Sequence, residues 1–131
     1  MSFLVDTNVI SELVRPRPNQ GVAAWAGALD TMTLSVITLE ELFYGLALRR
    51  NVKVQRWLEQ FIEQRCDVLD VTVAIARHAG TLRGQLGGRG RVRSQADMVI
   101  AATAAQHGLT IATRNERDFD DCGVPVTNPF S

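Results

Sequence analysis

The sequence predicts an α/β domain in which helices cover both faces of a mostly parallel sheet. Short apolar segments with the length of strands alternate along the 131 residues with longer segments whose apolar residues recur at helical spacing. A chain of this length can bury one core, and it is too short for two domains of ordinary size. We therefore expect one domain over residues 1–131, a three-layer α/β/α arrangement without internal repeats or a linker.

The first half of the chain begins with a short apolar strand that runs directly into Asp6, which can cap the following helix. Pro16 and Pro18 end that helix. The fourth predicted helix places Trp57 and Phe61 four residues apart on one face. In chain order, the elements predicted here are strand 2–5, helix 9–14, helix 22–29, strand 32–36, a helix that Thr38 opens, and helix Val52–Arg65.

The second half continues the alternation of strands and helices. Thr72 is a predicted cap, and the alanine-rich helix that Asp97 heads ends at Gly108. Between these two helices, glycines alternate with arginines, which predicts a loosened connection over residues 83–93. In chain order, the other predicted elements are strand 68–71, a long helix from Thr72, strand 109–113, a polar turn at 114–119 and strand 124–126.

The charge balance excludes a strongly basic protein. Fourteen Lys and Arg residues balance fourteen Asp and Glu residues, so any polyanion must be bound locally. Lys53 is the only lysine, and arginine is the side chain suited to bidentate phosphate contacts. Cys66 and Cys122 match no metal spacing, and Asp6 interrupts the N-terminal apolar stretch. We expect reduced thiols, no membrane segment and a cytoplasmic location.

Four acidic residues follow strands or begin helices and turns: Asp6, Glu41, Asp97 and Asp118. An open parallel sheet gathers such positions along one edge, so these carboxylates can converge on one site for a hard cation. Asp6 and Asp97 could each instead be helix caps. Helical phase does not choose between Glu41 and the adjacent Glu40, but Gly45 favours Glu41, since a missing side chain lets another group approach closely.

Four sequence motifs surround these acids. They are FLVDTNVIS at residues 3–11, SVITLEELFYG at 35–45, DMVIAATA at 97–104 and TRNERDF at 113–119. In this order the motifs are similar to those of PIN-domain ribonucleases, and the chain as a whole resembles a VapC-type toxin of a bacterial type II toxin–antitoxin pair. The resemblance extends over nearly the whole chain to the tail at Asn128, Pro129 and Phe130.

The resemblance implies a PIN-like fold and an endoribonuclease that depends on Mg²⁺ or Mn²⁺. Asp6, Glu41, Asp97 and Asp118 would be the catalytic and metal-binding set, and three neighbouring polar residues would support them. It also implies an RNA substrate, an antitoxin partner, a homodimer or larger toxin–antitoxin complex, and contact with DNA only through the antitoxin. The supporting residues are Asn8, Thr113 and Asn115.

Several alternatives remain open at this point. Ribonuclease chemistry through two histidines is unsupported, since His78 and His107 lie outside every motif. The chain could process RNA without an antitoxin, or it could bind without cleaving. The glycine and arginine segment is either a flexible connection or a phosphate-binding segment, and the helices of residues 38–65 are either core or a surface for an antitoxin or second subunit. The arginines concerned are Arg89, Arg91 and Arg93.

Overall fold

The computed structural model describes residues 2–131 and confirms the α/β class. Helix Val52–Arg65 has the predicted bounds, and the rings of Trp57 and Phe61 stack with centroids 4.8 Å apart. In chain order the elements are β1 (Phe3–Val5), α1 (Thr7–Leu13), α2 (Gln20–Gly27), β2 (Met32–Ser35), α3 (Val36–Leu48), α4 (Val52–Arg65), β3 (Cys66–Leu69), α5 (Val73–Gly88), α6 (Gln95–His107), β4 (Thr110–Ala112), a 3-10 helix (Glu116–Phe119) and β5 (Val126–Thr127).

The five strands form one sheet in the order β3-β2-β1-β4-β5, and every pairing among the described residues is parallel. In β1, Leu4 is in register with Thr33 of β2 on one side and with Ile111 of β4 on the other. The chain builds the sheet outward from β1 to β3 and then crosses to the opposite side of β1. The carboxyl ends of β1 and β4 therefore flank the switch point, where open parallel sheets bind ligands.

Successive residues of β1 point to opposite faces of the sheet and enter different cores. Leu4 packs with Ile75 of α5 and Met98 of α6, whereas Val5 packs with Ile10 of α1 and Leu42 of α3. Helices α5 and α6 thus cover one face, and α1 to α4 cover the other. This is the three-layer α/β/α arrangement that the sequence predicts.

Four helices, α1, α2, α3 and α6, begin two residues earlier than the sequence indicates. The structure shows that α3 starts at Val36 rather than at Thr38, because the Ser35 hydroxyl accepts the N–H of Ile37 (3.2 Å) and caps the helix. The interpretation of Asp97 as a helix cap is wrong, because Ser94 has that role and accepts the N–H of Asp97 (3.1 Å). Asp97 is the third residue of α6, so its carboxylate is not used as a cap.

The predicted loosened segment is shorter than residues 83–93. Helix α5 continues to Gly88, and the interval between α5 and α6 is residues 89–94. Glycine lowers helix propensity by about 1 kcal/mol relative to alanine, and the packing of Leu82 and Leu86 against the core overcomes that cost here. Strand β3 begins two residues before its predicted position, and β5 begins two residues after it. No described helix is long and apolar enough to span a membrane.

Candidate active site

Asp6 lies at the switch point of the sheet, directly after β1. Its N–H donates to the carbonyl of Ala112 (2.9 Å), which extends the pairing of β1 with β4 by one residue. The residue is 7% exposed. Its Oδ1 accepts the N–H of Thr7 (2.8 Å), and its Oδ2 accepts the Thr113 hydroxyl (2.8 Å) and the Asn8 amide (3.2 Å). The carboxylate is therefore held in one orientation.

The pKa of Asp6 is raised above its ordinary value, chiefly because burial disfavours the charged form. Hydrogen bonds from Thr113, Thr7 and Asn8 oppose that shift, and the nearby Asp118 carboxylate adds to it. A buried carboxylate of this kind gains from a cation, since a positive charge offsets the cost of desolvation.

Thr113 and Asn8 form a network behind Asp6. The Thr113 hydroxyl donates to Asp6 and accepts the N–H of Asn115 (3.0 Å) and the amide of Asn8 (3.2 Å), which uses its full hydrogen-bonding capacity. Asn8 also accepts the N–H of Arg114 (3.0 Å). The structure thus brings the three predicted supporting residues together, with Asn115 engaged here through its backbone.

Glu41 reaches the same region from α3. It is half-buried, whereas the adjacent Glu40 is exposed, and its Oε1 accepts the hydroxyl of Thr7 (2.9 Å). Sequence reasoning missed Thr7, whose position beside Asp6 was its only signal. Gly45 is not closely approached by other parts of the chain, since outside its own helix backbone no atom lies within 4 Å of the place where its Cβ would be. Burial and the Thr7 contact distinguish Glu41 from Glu40 instead.

Asp97 contributes the third carboxylate from the first turn of α6. The pKa of Asp97 is raised to about 6, chiefly by burial and to a lesser extent by the negative charges of Asp6, Asp118 and Glu41, against a hydrogen bond from Ser94. The three neighbouring charges contribute because all four acids line one cavity. Perturbed acids in a cleft are typical of functional sites.

Asp118 lies on the single-turn 3-10 helix and is exposed. Its N–H donates to the Asn115 carbonyl (3.1 Å), and its own carbonyl accepts a hydrogen bond from the Arg93 guanidinium (2.6 Å). Arg91 forms an ion pair with Asp121 in the same loop. Two arginines predicted as RNA contacts therefore have partners within the chain, and Arg89 is exposed.

A cavity of about 660 Å³ joins these residues. The four acids line it together with Arg15, whose guanidinium contacts Glu12 at 3.2 Å on the rim. Across residues 2–131, no three acidic, thiol or imidazole groups are close enough to bind one ion as they stand. The carboxylates in this cavity nevertheless have the oxygen donors that Mg²⁺ and Mn²⁺ prefer. His78 and His107 are exposed and lie outside this cavity.

Fold and site define a class of α/β protein with an acidic cavity at the switch point of a parallel sheet. A family model described as "PIN domain" matches residues 3–124. The chain belongs to the PIN-domain family, and the resemblance that the four motifs carry is confirmed.

Relatives and solved structures match over nearly the whole chain. The toxin FitB of Neisseria gonorrhoeae is 39% identical, and the match covers 98% of both chains. The VapC ribonuclease Y4jK of Sinorhizobium fredii is 36% identical over 98% of this chain and 97% of its own. A structure of FitAB bound to an IR36 DNA fragment superposes with a TM-score of 0.83 at 37% identity, covering 98% of this chain and 96% of that one.

Proposed function

We propose that this protein is a metal-dependent endoribonuclease and the toxin component of a toxin–antitoxin pair. The observation that carries the proposal is the convergence of carboxylates from four separate segments on one cavity. Burial in this cavity, together with the neighbouring negative charges, raises the pKa of Asp97 to about 6. The names of the relatives, a toxin and a VapC ribonuclease, support the same activity.

The oxygen donors of the cavity fit Mg²⁺ or Mn²⁺, which Asp6, Glu41, Asp97 and Asp118 would hold. When bound, such a cation lowers the pKa of a water molecule and offsets the charge that develops at the scissile phosphate. Within the chain, the hydrogen bonds of Thr113 and Asn8 fix the Asp6 oxygens, and Thr7 fixes Glu41. These contacts reduce the reorganisation that binding requires.

Arginine side chains near the cavity are suited to hold the RNA. Arg15 lines the cavity, and its ion pair with Glu12 leaves 67% of the side chain exposed. Arg114 and Arg117 line an adjoining depression that Asp118 shares. Guanidinium groups form bidentate hydrogen bonds with phosphates, so we expect the RNA backbone to pass over these residues. Phosphate contacts by the arginines of residues 89–93 stay a prediction.

A separate apolar groove suits an antitoxin helix. It has a volume of about 290 Å³ between α1, α3 and α4, and its lining includes Ile10, Leu42, Leu46 and Leu58. Tyr44 is 61% exposed on the same helix α3. An amphipathic helix buries its apolar face in grooves of this kind. The FitAB complex of a relative supports a protein partner, and we propose that DNA is contacted only through that partner and that the toxin is a homodimer.

The groove can be tested without touching the acids. Gly45 lines it and has no neighbour within 4 Å, so Gly45→Leu should fill the groove and leave the fold intact. We expect this variant to cleave RNA but to resist neutralisation by the antitoxin encoded beside it. Gly84→Leu, on α5 with equally open surroundings, is the matched control. Normal neutralisation of Gly45→Leu would place the antitoxin elsewhere.

Cleavage of a defined RNA in the presence and absence of EDTA tests the enzymatic proposal. EDTA, Asp6→Asn and Asp97→Asn should each abolish cleavage, whereas Asp120→Asn, on the exposed surface of the same loop as Asp118, should not. The products should carry 3′-hydroxyl and 5′-phosphate ends, since a water molecule rather than the 2′-hydroxyl is the nucleophile. Cleavage in the presence of EDTA would exclude the metal mechanism. Products that carry a 2′,3′-cyclic phosphate would exclude it as well. A folded protein that binds metal without cleaving any RNA would favour a binding module.

A further inference from the structure

The fourth carboxylate has less local support than the other three. Asp118 is exposed and lies on one turn of 3-10 helix, and the preceding Asn115 makes no side-chain cap. The buried Phe119 anchors the turn in the core, but a buried neighbour does not by itself fix the rotation of the Asp118 peptide. Short loops of this kind are among the least stable parts of a fold.

Arg93 supplies the missing support. Its Nη1 donates to the carbonyl oxygen of Asp118 at 2.6 Å, a charge-assisted contact across 25 positions of sequence. The Arg93 side chain is half-buried, although the hydrogen bond itself is exposed. The contact is to the backbone, which means that it orients the residue without neutralising its carboxylate.

The same short segment also fixes Asp97. Arg91 pairs with Asp121, which holds the far side of the Asp118 loop, and Ser94 caps α6 through the N–H of Asp97. Residues 91–94 therefore connect two acids that reach the cavity from different elements. Contacts that orient two ligands from one short segment restrict the separation of those ligands, which coordination of a single ion needs.

We propose that Arg93 is a positioning residue that sets Asp118 for metal binding, acting through the Asp118 carbonyl. The proposal rests on the metal-dependent function proposed above. It assigns Arg93 a role different from the phosphate contact expected from the sequence. Arg89, exposed and four residues away on the C-terminal cap of α5, is the matched control.

The test measures Mn²⁺ binding to the purified protein by electron paramagnetic resonance, without RNA. Arg93→Gln should raise the Mn²⁺ dissociation constant about tenfold, the lower end of the effect of losing a group that orients a ligand. Arg93→Lys retains a cationic donor and should recover most of the affinity. Arg89→Gln should bind Mn²⁺ as the wild type does.

A double-mutant cycle shows whether Arg93 acts through Asp118. If it does, adding Arg93→Gln to Asp118→Asn should change Mn²⁺ affinity by less than about twofold, because the ligand that Arg93 orients is already lost. Independent effects in the two variants would overturn the proposal. Thermal unfolding in EDTA checks that the variants fold. If Arg93→Gln is unstable, the same cycle is run with Arg93→Met, which keeps the aliphatic length of the side chain and lacks the donor.

The remaining outcomes separate this proposal from the function on which it rests. Wild-type Mn²⁺ binding by Arg93→Gln, combined with lost binding by Asp97→Asn, would overturn the positioning role alone. Failure of the wild type to bind Mn²⁺ would overturn both. A smaller salt dependence of RNA binding in Arg93→Gln, with unchanged Mn²⁺ affinity, would show that the side chain contacts RNA instead.

Discussion

Neutralising Asp97 should stabilise the protein when no metal is bound. The pKa of this carboxyl is raised from 3.8 to about 6 in the folded state. One pKa unit corresponds to about 1.4 kcal/mol, so the full shift would cost about 3 kcal/mol at neutral pH. Asp97 is only partly buried, and solvent screening reduces this to about 1–2 kcal/mol. Asp97→Asn should recover that amount, which corresponds to about 3–6 °C in melting temperature for a domain of this size.

The unfolding free energy gained by Asp97→Asn must increase as the pH rises. Because the pKa of Asp97 is higher in the folded state, the folded state binds its proton more tightly than the unfolded state does. The wild type therefore pays no cost for this carboxyl and keeps its full stability below a pH of about 4, where Asp97 is protonated in both states. That stability is lost as the pH rises through about 6, where folded Asp97 ionises. The advantage of Asp97→Asn should therefore be largest at about pH 8, smaller at about pH 5, and absent near pH 3.5.

Urea unfolding in EDTA, followed by circular dichroism at these pH values, measures the difference. Asp120→Asn is the control, because Asp120 is exposed on the loop beside the cavity. A variant no more stable than the wild type at about pH 8, or a gain that does not change with pH, would refute the reasoning. Adding Mg²⁺ should reverse the order, because a ligand that binds the folded state stabilises the wild type by mass action.

Three further predictions concern other residues. Glu41→Gln should lower cleavage at least about a hundredfold and Glu40→Gln less than about twofold, because Thr7 and burial single out Glu41; equal losses would contradict this. Gly21→Ala should lower the unfolding free energy by about 1–3 kcal/mol, since its Cβ would lie 2.6 Å from the Pro129 carbonyl, whereas Gly80→Ala should not. In RNA binding, each lost phosphate contact lowers the log–log salt slope by about 0.7. Because Arg91 and Arg93 have partners within the chain, joint replacement of Arg89, Arg91 and Arg93 should lower the slope by less than about one. A fall of about two would show that all three arginines contact RNA.

The positions of the acids could be predicted because strand ends carry topological information. Phe3 to Val5 is apolar and ends on an acid, and parallel pairing brings every such end to one edge of the sheet. For Asp6 the prediction therefore needed only the order of strands and helices, and Asp97 follows from the same logic because α6 begins near the carboxyl edge. The choice of Glu41 over Glu40, and of Asp118 among the acids of its turn, rested also on the family motifs.

The contacts that orient the acids could not be predicted in the same way. The hydroxyl of Thr7 reaches Glu41 across 34 positions, and Arg93 reaches Asp118 across 25. Neither spacing has a sequence signature, because both depend on how α3 and the 89–94 segment pack against the sheet. The extension of α5 through Gly84 and Gly87 was missed for a related reason, since tertiary packing overrides local propensity.

In the metal site that we propose, stability and metal affinity would follow from one arrangement of charges. The ionised carboxylates of Asp6 and Asp97 are costly in the metal-free fold because they are desolvated and lie near other acids. A bound cation would remove that cost, so the free energy lost in stability would contribute to binding. Protons compete for the same oxygens, and apparent metal affinity should therefore fall as the pH drops below about 6. A neutral substitution that stabilises the metal-free protein should then weaken metal binding. A variant that is more stable than the wild type and binds metal as tightly would show that stability and metal affinity are separate.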